Sequence, residues 1–259
     1  MSKKDLKTGV SRRKFVAGTA AGAAVLAASN LGFPHIAKAA GNVKIGLIHP
    51  ATGFLAYPGG QLRYGCQLAI NDINKAGGIK SLGGAKIEAL LGDSQTKPQI
   101  GAAEVEKMNE AGVHAITGCY QSAVGLAASA AAAKYGIPFS VDVGVSDKLV
   151  QRGLDNVFRM ADGFGRIAKD AAANLGAINK AAGSPAKTVV IVHEESEFGS
   201  GTAKLLKGML PEQGLQVIEM IKHANPTRNF DNIALRIKAM KADIVMPINY
   251  PGEYVLLAR

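Results

Sequence analysis

The feature that most constrains this chain is a sustained alternation of short, β-branched apolar runs with longer stretches of helical spacing. Val43–His49, Ala85–Gly92, Val113–Gly118 and Ile137–Asp142 read as strands, and Asn156–Met160 as a short extended piece. Between them, Gly59–Lys75 places Leu62, Cys66, Ala69, Ile70 and Ile73 on one helical face, and Pro98–Ala111 and Ser122–Tyr135 also read as helices. The pattern resumes with a helix at Gly165–Lys180, the strand Lys187–His193, a helix at Phe198–Gln213, the strand Leu215–Ile221, a helix at Asp231–Lys241 and the strand Ala242–Ile248. A further helix runs to Arg259. Strands separated by amphipathic helices predict parallel sheets built by right-handed crossovers. The count predicts an α/β protein of two lobes, residues 40–160 and 161–259. The second lobe, with three strong strands, reads as part of a longer protein, and a sheet with one face short of helices exposes apolar surface.

The first 39 residues have a different character. Lys3, Lys4, Lys7, Arg12, Arg13 and Lys14 precede Phe15–Ala37, which contains no charged residue. Ala37-Lys38-Ala39 is a small-x-small cleavage pattern, and Ser11-Arg12-Arg13-Lys14-Phe15 is similar to a twin-arginine signal, with Val16 where Leu is usual. A membrane anchor needs about 20 strongly apolar residues, and Gly18, Gly22, Ser29, Asn30, Gly32 and Pro34 dilute this stretch. The expectation is export to the periplasm with cleavage near Ala39.

Removing that segment changes the charge argument. The chain holds 30 basic and 20 acidic residues, a net of +10. Residues 1–39 account for 7 basic and 1 acidic, leaving a mature net of +4. With no Trp and no basic face interleaved with aromatics, a nucleic-acid partner is not expected. Cys66 and Cys119 could pair in an oxidising compartment, but Cys66 on an apolar helical stripe reads as a free thiol. Two cysteines do not build a structural zinc site alone.

Ligands of open α/β sheets bind outside the carboxyl ends of the strands. The residues there are His49–Gly53 leading to Tyr57, Cys119–Ser122, Asp142–Ser146, His193–Phe198 and Asn249-Tyr250-Pro251. Ser122 begins a helix, where unpaired N–H groups and the dipole favour a carboxylate; the same residue type also caps helices. Tyr57, Phe198 and Tyr250 offer apolar walls with polar tips or serve as ordinary loop packing. GxGxxG, P-loop, HExxH and GxSxG motifs are absent. His193-Glu194-Glu195 has ligand-type residues, but neighbours at a strand end do not converge on one ion, so neither metal nor cofactor is expected. Asp142 and Glu197 form an acid/base pair only if they meet across a cleft; Asp142 suits an ammonium equally well.

The segments VKIGLIHPATGFLAYPGGQLRYGCQLAINDINKAGGI (43–79), KYGIPF (134–139), VIVHEESEFGSG (190–201) and ADIVMPINYPGEYVLLAR (242–259), with the strand end Gly92-Asp93, resemble type I periplasmic binding proteins of the leucine/isoleucine/valine-binding family. The resemblance implies two hinged α/β lobes that close over an amino acid, an amide or a related solute and deliver it to a membrane ABC permease. It places the solute carboxylate at Gln121 and Ser122, with backbone donors at Gly144 and Val145. Phe198 would cover the solute, Asn249 and Tyr250 would form another wall, and Tyr57 would lie beside its side chain. Val145 stands where amino-acid binders often have Thr. Gln95 and Gln121 stand where some members have a disulfide, and the acid that commonly pairs with the ammonium falls beyond Arg259. The alternatives are a ligand-sensing receptor of the same fold and a secreted α/β enzyme using Asp142 and Glu197.

Overall fold

A computed structural model describes residues 41–259. The expected export signal, with cleavage near Ala39, lies outside the described residues. The chain forms two α/β lobes, each a parallel sheet flanked by helices.

The first lobe runs through β1 (Val43–His49), α1 (Ala56–Lys75), β2 (Ile87–Asp93), α2 (Pro98–Glu110), β3 (Ala115–Gly118), α3 (Ser122–Lys134), β4 (Phe139–Val141), α4 (Lys148–Gln151) and β5 (Val157–Arg159). Its sheet has the order β2-β1-β3-β4-β5 with every pairing parallel. The core joins Ile48, Ile116, Phe139 and Val141 of the strands to Val105 and Met108 of α2 and Val124, Ala128 and Ala132 of α3. Full burial of a side chain such as Phe139 contributes about 1.5–3 kcal/mol.

The second lobe comprises α5 (Phe164–Ala181), β6 (Thr188–Glu194), α6 (Glu197–Met209), β7 (Gln216–His223), α7 (Asp231–Met240), β8 (Ile244–Ile248) and α8 (Pro251–Leu257). Its three described strands lie in the order β7-β6-β8, all parallel. Period-two alternation divides the central strand: Val189 and Ile191 face α5 and α6, while Val190 and Val192 pack toward α7. The α7–α8 side is thinly covered. No residue of α7 is buried, Val245 and Leu256 are exposed, and an apolar groove of about 350 Å³ runs between α7, β8 and α8.

A shared device fixes where a helix hands over to the next strand. Near the end of α1, the Asn74 amide donates to Ile87 O (2.8 Å) and accepts from Ile87 N–H (2.8 Å). In α5, the Asn179 amide donates to Ala186 O (2.9 Å) and accepts from Ala186 N–H (3.1 Å). The two asparagines occupy the same short sequence, Ile-Asn-Lys-Ala, at 73–76 and 178–181.

Two boundaries depart from the sequence expectation in ways that matter. Helix α1 begins at Ala56 rather than Gly59, because Gly53 turns the chain with φ +86° and Pro58 fits the first helical turn. Strand β6 extends to Glu194, one residue past His193, so Glu194 belongs to the sheet. Among the described residues no helix is long and apolar enough to cross a membrane.

Candidate functional site

In the first sheet the strand order reverses between β1 and β3, and in the second between β6 and β8. A crevice opens outside the carboxyl ends of strands at such a point. Each lobe lines its side with residues from loops flanking its own reversal. Phe54 follows β1 and Tyr120 follows β3; Phe198 follows β6 and Tyr250 follows β8. The four aromatics meet across the lobes. Tyr250 lies 5.4 Å from Phe198, 5.8 Å from Phe54 in edge contact and 6.0 Å from Tyr120, between ring centroids. Beside Tyr250 is a small crevice of about 80 Å³, lined also by Ser122, Val143 and Val145.

Ser122 is the first residue of α3, with Gln121 at the cap position. Its hydroxyl therefore does not cap its own helix. Instead Oγ accepts the N–H groups of Val145 (3.1 Å) and Ser146 (3.1 Å), which fastens the loop after β4 to the start of α3. Both contacts use the oxygen as acceptor, so the hydroxyl proton remains to donate. Ser122 is 2% exposed and on the crevice wall, at a helix end that favours negative charge.

The loop after β4 is held from several sides. Gly144 N–H donates to Cys119 O (3.0 Å), and a Cβ there would press on Leu149 and Val141. Arg159 of β5 donates to Val145 O (3.2 Å) and Ser146 O (2.7 Å) and pairs with Asp147 (3.0 Å). Asp147 in turn accepts Gly165 N–H (2.9 Å) from the first turn of α5, so this cluster ties the crevice loop to the crossing between lobes.

Asp142 and Glu197 do not come together. Asp142 Oδ2 bonds His49 Nε2 at 2.6 Å and its other oxygen accepts Val143 N–H (2.8 Å). Glu197 accepts from Ser146 Oγ (2.9 Å) and Lys148 Nζ (3.0 Å), a bridge from α6 to the first lobe. His49, Cys66 and Asp142 offer metal-type ligand atoms within 4.8 Å of one another, but the His49–Asp142 hydrogen bond already engages two of the three groups. Both cysteines are free. Burial, then the Asp142 charge, push the thiols of Cys66 and Cys119 up, so each stays protonated.

Glu194 is wholly buried and accepts four hydrogen bonds: Ser196 N–H (2.6 Å), Ser196 Oγ (2.6 Å), Gly199 N–H (2.6 Å) and Asn225 Nδ2 (2.9 Å). Charge-assisted bonds of this kind offset the desolvation of a carboxylate, and the anion lies at the N-terminus of α6. The His193-Glu194-Glu195 run thus shapes the turn that presents Phe198. Burial, then the Glu194 charge, push the Tyr250 phenol up, leaving it a neutral hydrogen-bond donor.

Of the sequence-nominated residues, Ser122, Val145, Phe198 and Tyr250 line the crevice. Gln121 lines a neighbouring interlobe cavity with Phe54 and Gln95. Gly144 and Asp142 support the loop from behind. Asn249 precedes Tyr250, with both polar atoms of its amide buried and unpartnered. Tyr57 is 80% exposed, because the earlier start of α1 turns it outward, and Phe54 makes the contact with Tyr250 instead. Tyr120 and Val143 lie within the strand-end stretches Cys119–Ser122 and Asp142–Ser146 without a role of their own in the sequence reading, and Phe54 lies just past His49–Gly53.

The curated relatives include a Leu/Ile/Val-binding protein homolog of Brucella abortus, 31% identical over 218 residues, matching 83% of this chain and 53% of the relative. The Leu/Ile/Val-binding protein BraC3 of Rhizobium johnstonii is 32% identical over 231 residues, matching 89% and 60%. The chain thus spans little more than half the length of these relatives. Among solved structures, the fold matches a leucine binding protein of Thermotoga maritima with TM-score 0.73 at 23% identity, covering 84% of this chain and 59% of that one. It also matches an R. palustris solute binding protein in complex with benzoate, with TM-score 0.72 at 23% identity, covering 82% and 56%. The family model described as periplasmic binding protein matches residues 42–259, and the chain belongs to that family.

Proposed function

We propose that the protein is the extracytoplasmic solute-binding component of an ABC importer, exported to the periplasm with cleavage near Ala39. Its solute is a branched-chain amino acid or a related amino acid or amide. The observation that carries this reading is the state of Ser122. Its oxygen is saturated by two backbone N–H groups, its proton is free, and it lies on a crevice between two lobes. The solute carboxylate takes that O–H together with the first N–H groups of α3. Gln121, Gly144 and Val145 frame it from the first lobe; Phe198, Asn249 and Tyr250 cover it from the second. Closure brings the two halves of the crevice together, so bound solute favours the closed shape, and that shape is what the membrane permease reads. The function is capture without chemistry and without a cofactor. Asp142 and Glu197, engaged with different partners, offer no acid/base pair, which supports this reading.

Ser122→Ala tests it. Carboxylate solutes are expected to bind roughly tenfold more weakly by calorimetry, the effect of removing one hydrogen bond to a charged group. Unchanged affinity in a variant with an unchanged melting temperature removes Ser122 from the site.

A further inference from the structure

Ser146 makes two hydrogen bonds that lead to opposite lobes. Its backbone N–H donates to Ser122 Oγ (3.1 Å), within the first lobe. Its hydroxyl donates to Glu197 Oε1 (2.9 Å), on α6 of the second. Ser146 is wholly buried, and its carbonyl accepts from Arg159 (2.7 Å), so each of its polar groups has a fixed partner. Glu197 is the first residue of α6 and precedes Phe198, whose ring lies 5.4 Å from that of Tyr250 between centroids. A continuous path therefore runs from the Ser122 hydroxyl through Ser146 and Glu197 to the aromatic wall of the second lobe.

The other Glu197 oxygen accepts from Lys148 Nζ (3.0 Å), but the two bonds are unequal. The Lys148 side chain is 65% exposed, and ion pairs in such positions contribute little. The Ser146 hydroxyl is sealed, so removing its acceptor strands a buried donor that water does not reach.

Resting on the reading that Ser122 holds the solute carboxylate, we infer that Glu197 is a positioning residue for that site. Through Ser146 it holds the loop after β4 against Ser122 Oγ, which keeps the oxygen occupied and its proton free for the solute. Glu197 belongs to the opposite lobe, so the carboxylate site is fully formed only when the lobes are together. Solute and closure then favour each other, each stabilising the arrangement the other needs.

Amide hydrogen exchange, read residue by residue by NMR on the unliganded protein, tests this without a solute. In Glu197→Ala the Val145 and Ser146 amides, which donate to Ser122 Oγ, are expected to exchange about tenfold faster, the effect of one stranded donor. Amides of β1 and β6 keep their rates, which separates loss of position from loss of stability. Glu197→Gln retains an acceptor for Ser146 and is expected to restore slow exchange. Ser146→Ala, which lacks the hydroxyl but keeps the N–H, is expected to reproduce Glu197→Ala and replaces it should that variant not fold. Unchanged exchange at Val145 and Ser146, or acceleration spread evenly over both sheets, overturns the inference. Leucine, as the probe solute in calorimetry, separates it from the reading beneath it. If Ser122→Ala weakens leucine binding and Glu197→Ala does not, the inference falls and the carboxylate reading stands. If Ser122→Ala leaves leucine binding unchanged while exchange accelerates in Glu197→Ala, the carboxylate reading falls and the link from Glu197 to Ser122 stands.

Discussion

Both lobes turn from their first strand into a helix through a loop pinned by one carboxylate, yet they bury that carboxylate very differently. In the first lobe, Asp93 reaches across from the end of β2. It accepts from Ala51 N–H (2.8 Å), the Thr52 hydroxyl (2.6 Å) and Gln95 N–H (2.9 Å) in a partly open position. In the second, Glu194 does the work from the end of β6 itself, sealed from solvent. Gly199 is what allows the seal, because a Cβ there would collide with the backbone and carboxylate of Glu194. An open carboxylate that loses a partner recovers water. A sealed one recovers nothing, so the second lobe depends far more on its anchor.

The largest test of this contrast is Glu194→Ala. It strands Ser196 N–H, Gly199 N–H and the Asn225 amide, and at about 1–3 kcal/mol for each buried donor left unsatisfied the expected loss is about 3 kcal/mol or more by urea denaturation. A loss below about 1 kcal/mol would mean that water replaces the carboxylate and the contrast is false. Next come Asn74→Ala and Asn179→Ala, which remove the paired bonds at matching corners of the two lobes. Each is expected to cost about 1–3 kcal/mol, with similar values for the two. A clear inequality would show that the corners only look alike.

The smallest effect is a pH dependence at Asp93. Burial pushes its carboxyl up, but the Thr52 hydroxyl and the N–H groups of Gln95, Ala51 and Thr52 together outweigh this and hold it below the usual carboxylate range. A carboxyl held low in the fold adds stability that is fully present above its ordinary value of about 4 and is lost as the pH falls through the folded value. Asp93→Asn should flatten the acid limb of a melting-temperature profile and leave its slope near neutral pH unchanged. An acid limb identical to that of the unmodified protein would remove Asp93 as an anchor.

The alternation of apolar runs made the strands and helices legible, because a parallel α/β lobe repeats one simple burial pattern. Strand-end position pointed to Ser122, Phe198 and Tyr250 for the same reason. Phe54 escaped because the helix start was placed at Gly59, which left Tyr57 on the loop; a three-residue error in a boundary turns one aromatic out and another in. Glu194 was legible only as an unusual acid beside a histidine. Three of its four hydrogen bonds come from Ser196 and Gly199 in the turn that follows, and only the fourth depends on where Asn225, thirty-one positions later in the chain, is brought by β7.

By itself the sequence determined the order of elements, the two-lobe division and the loops that gather at the strand ends, since these follow from local periodicity and the handedness of crossovers. Only the tertiary structure decided what those loops do to one another. It made Ser122 an acceptor for the next loop rather than a cap, engaged Asp142 and Glu197 with separate partners, and set the Tyr250 ring against Phe54, Tyr120 and Phe198. Hydrogen bonds and burial between distant residues are set by packing, and no spacing along the chain encodes them.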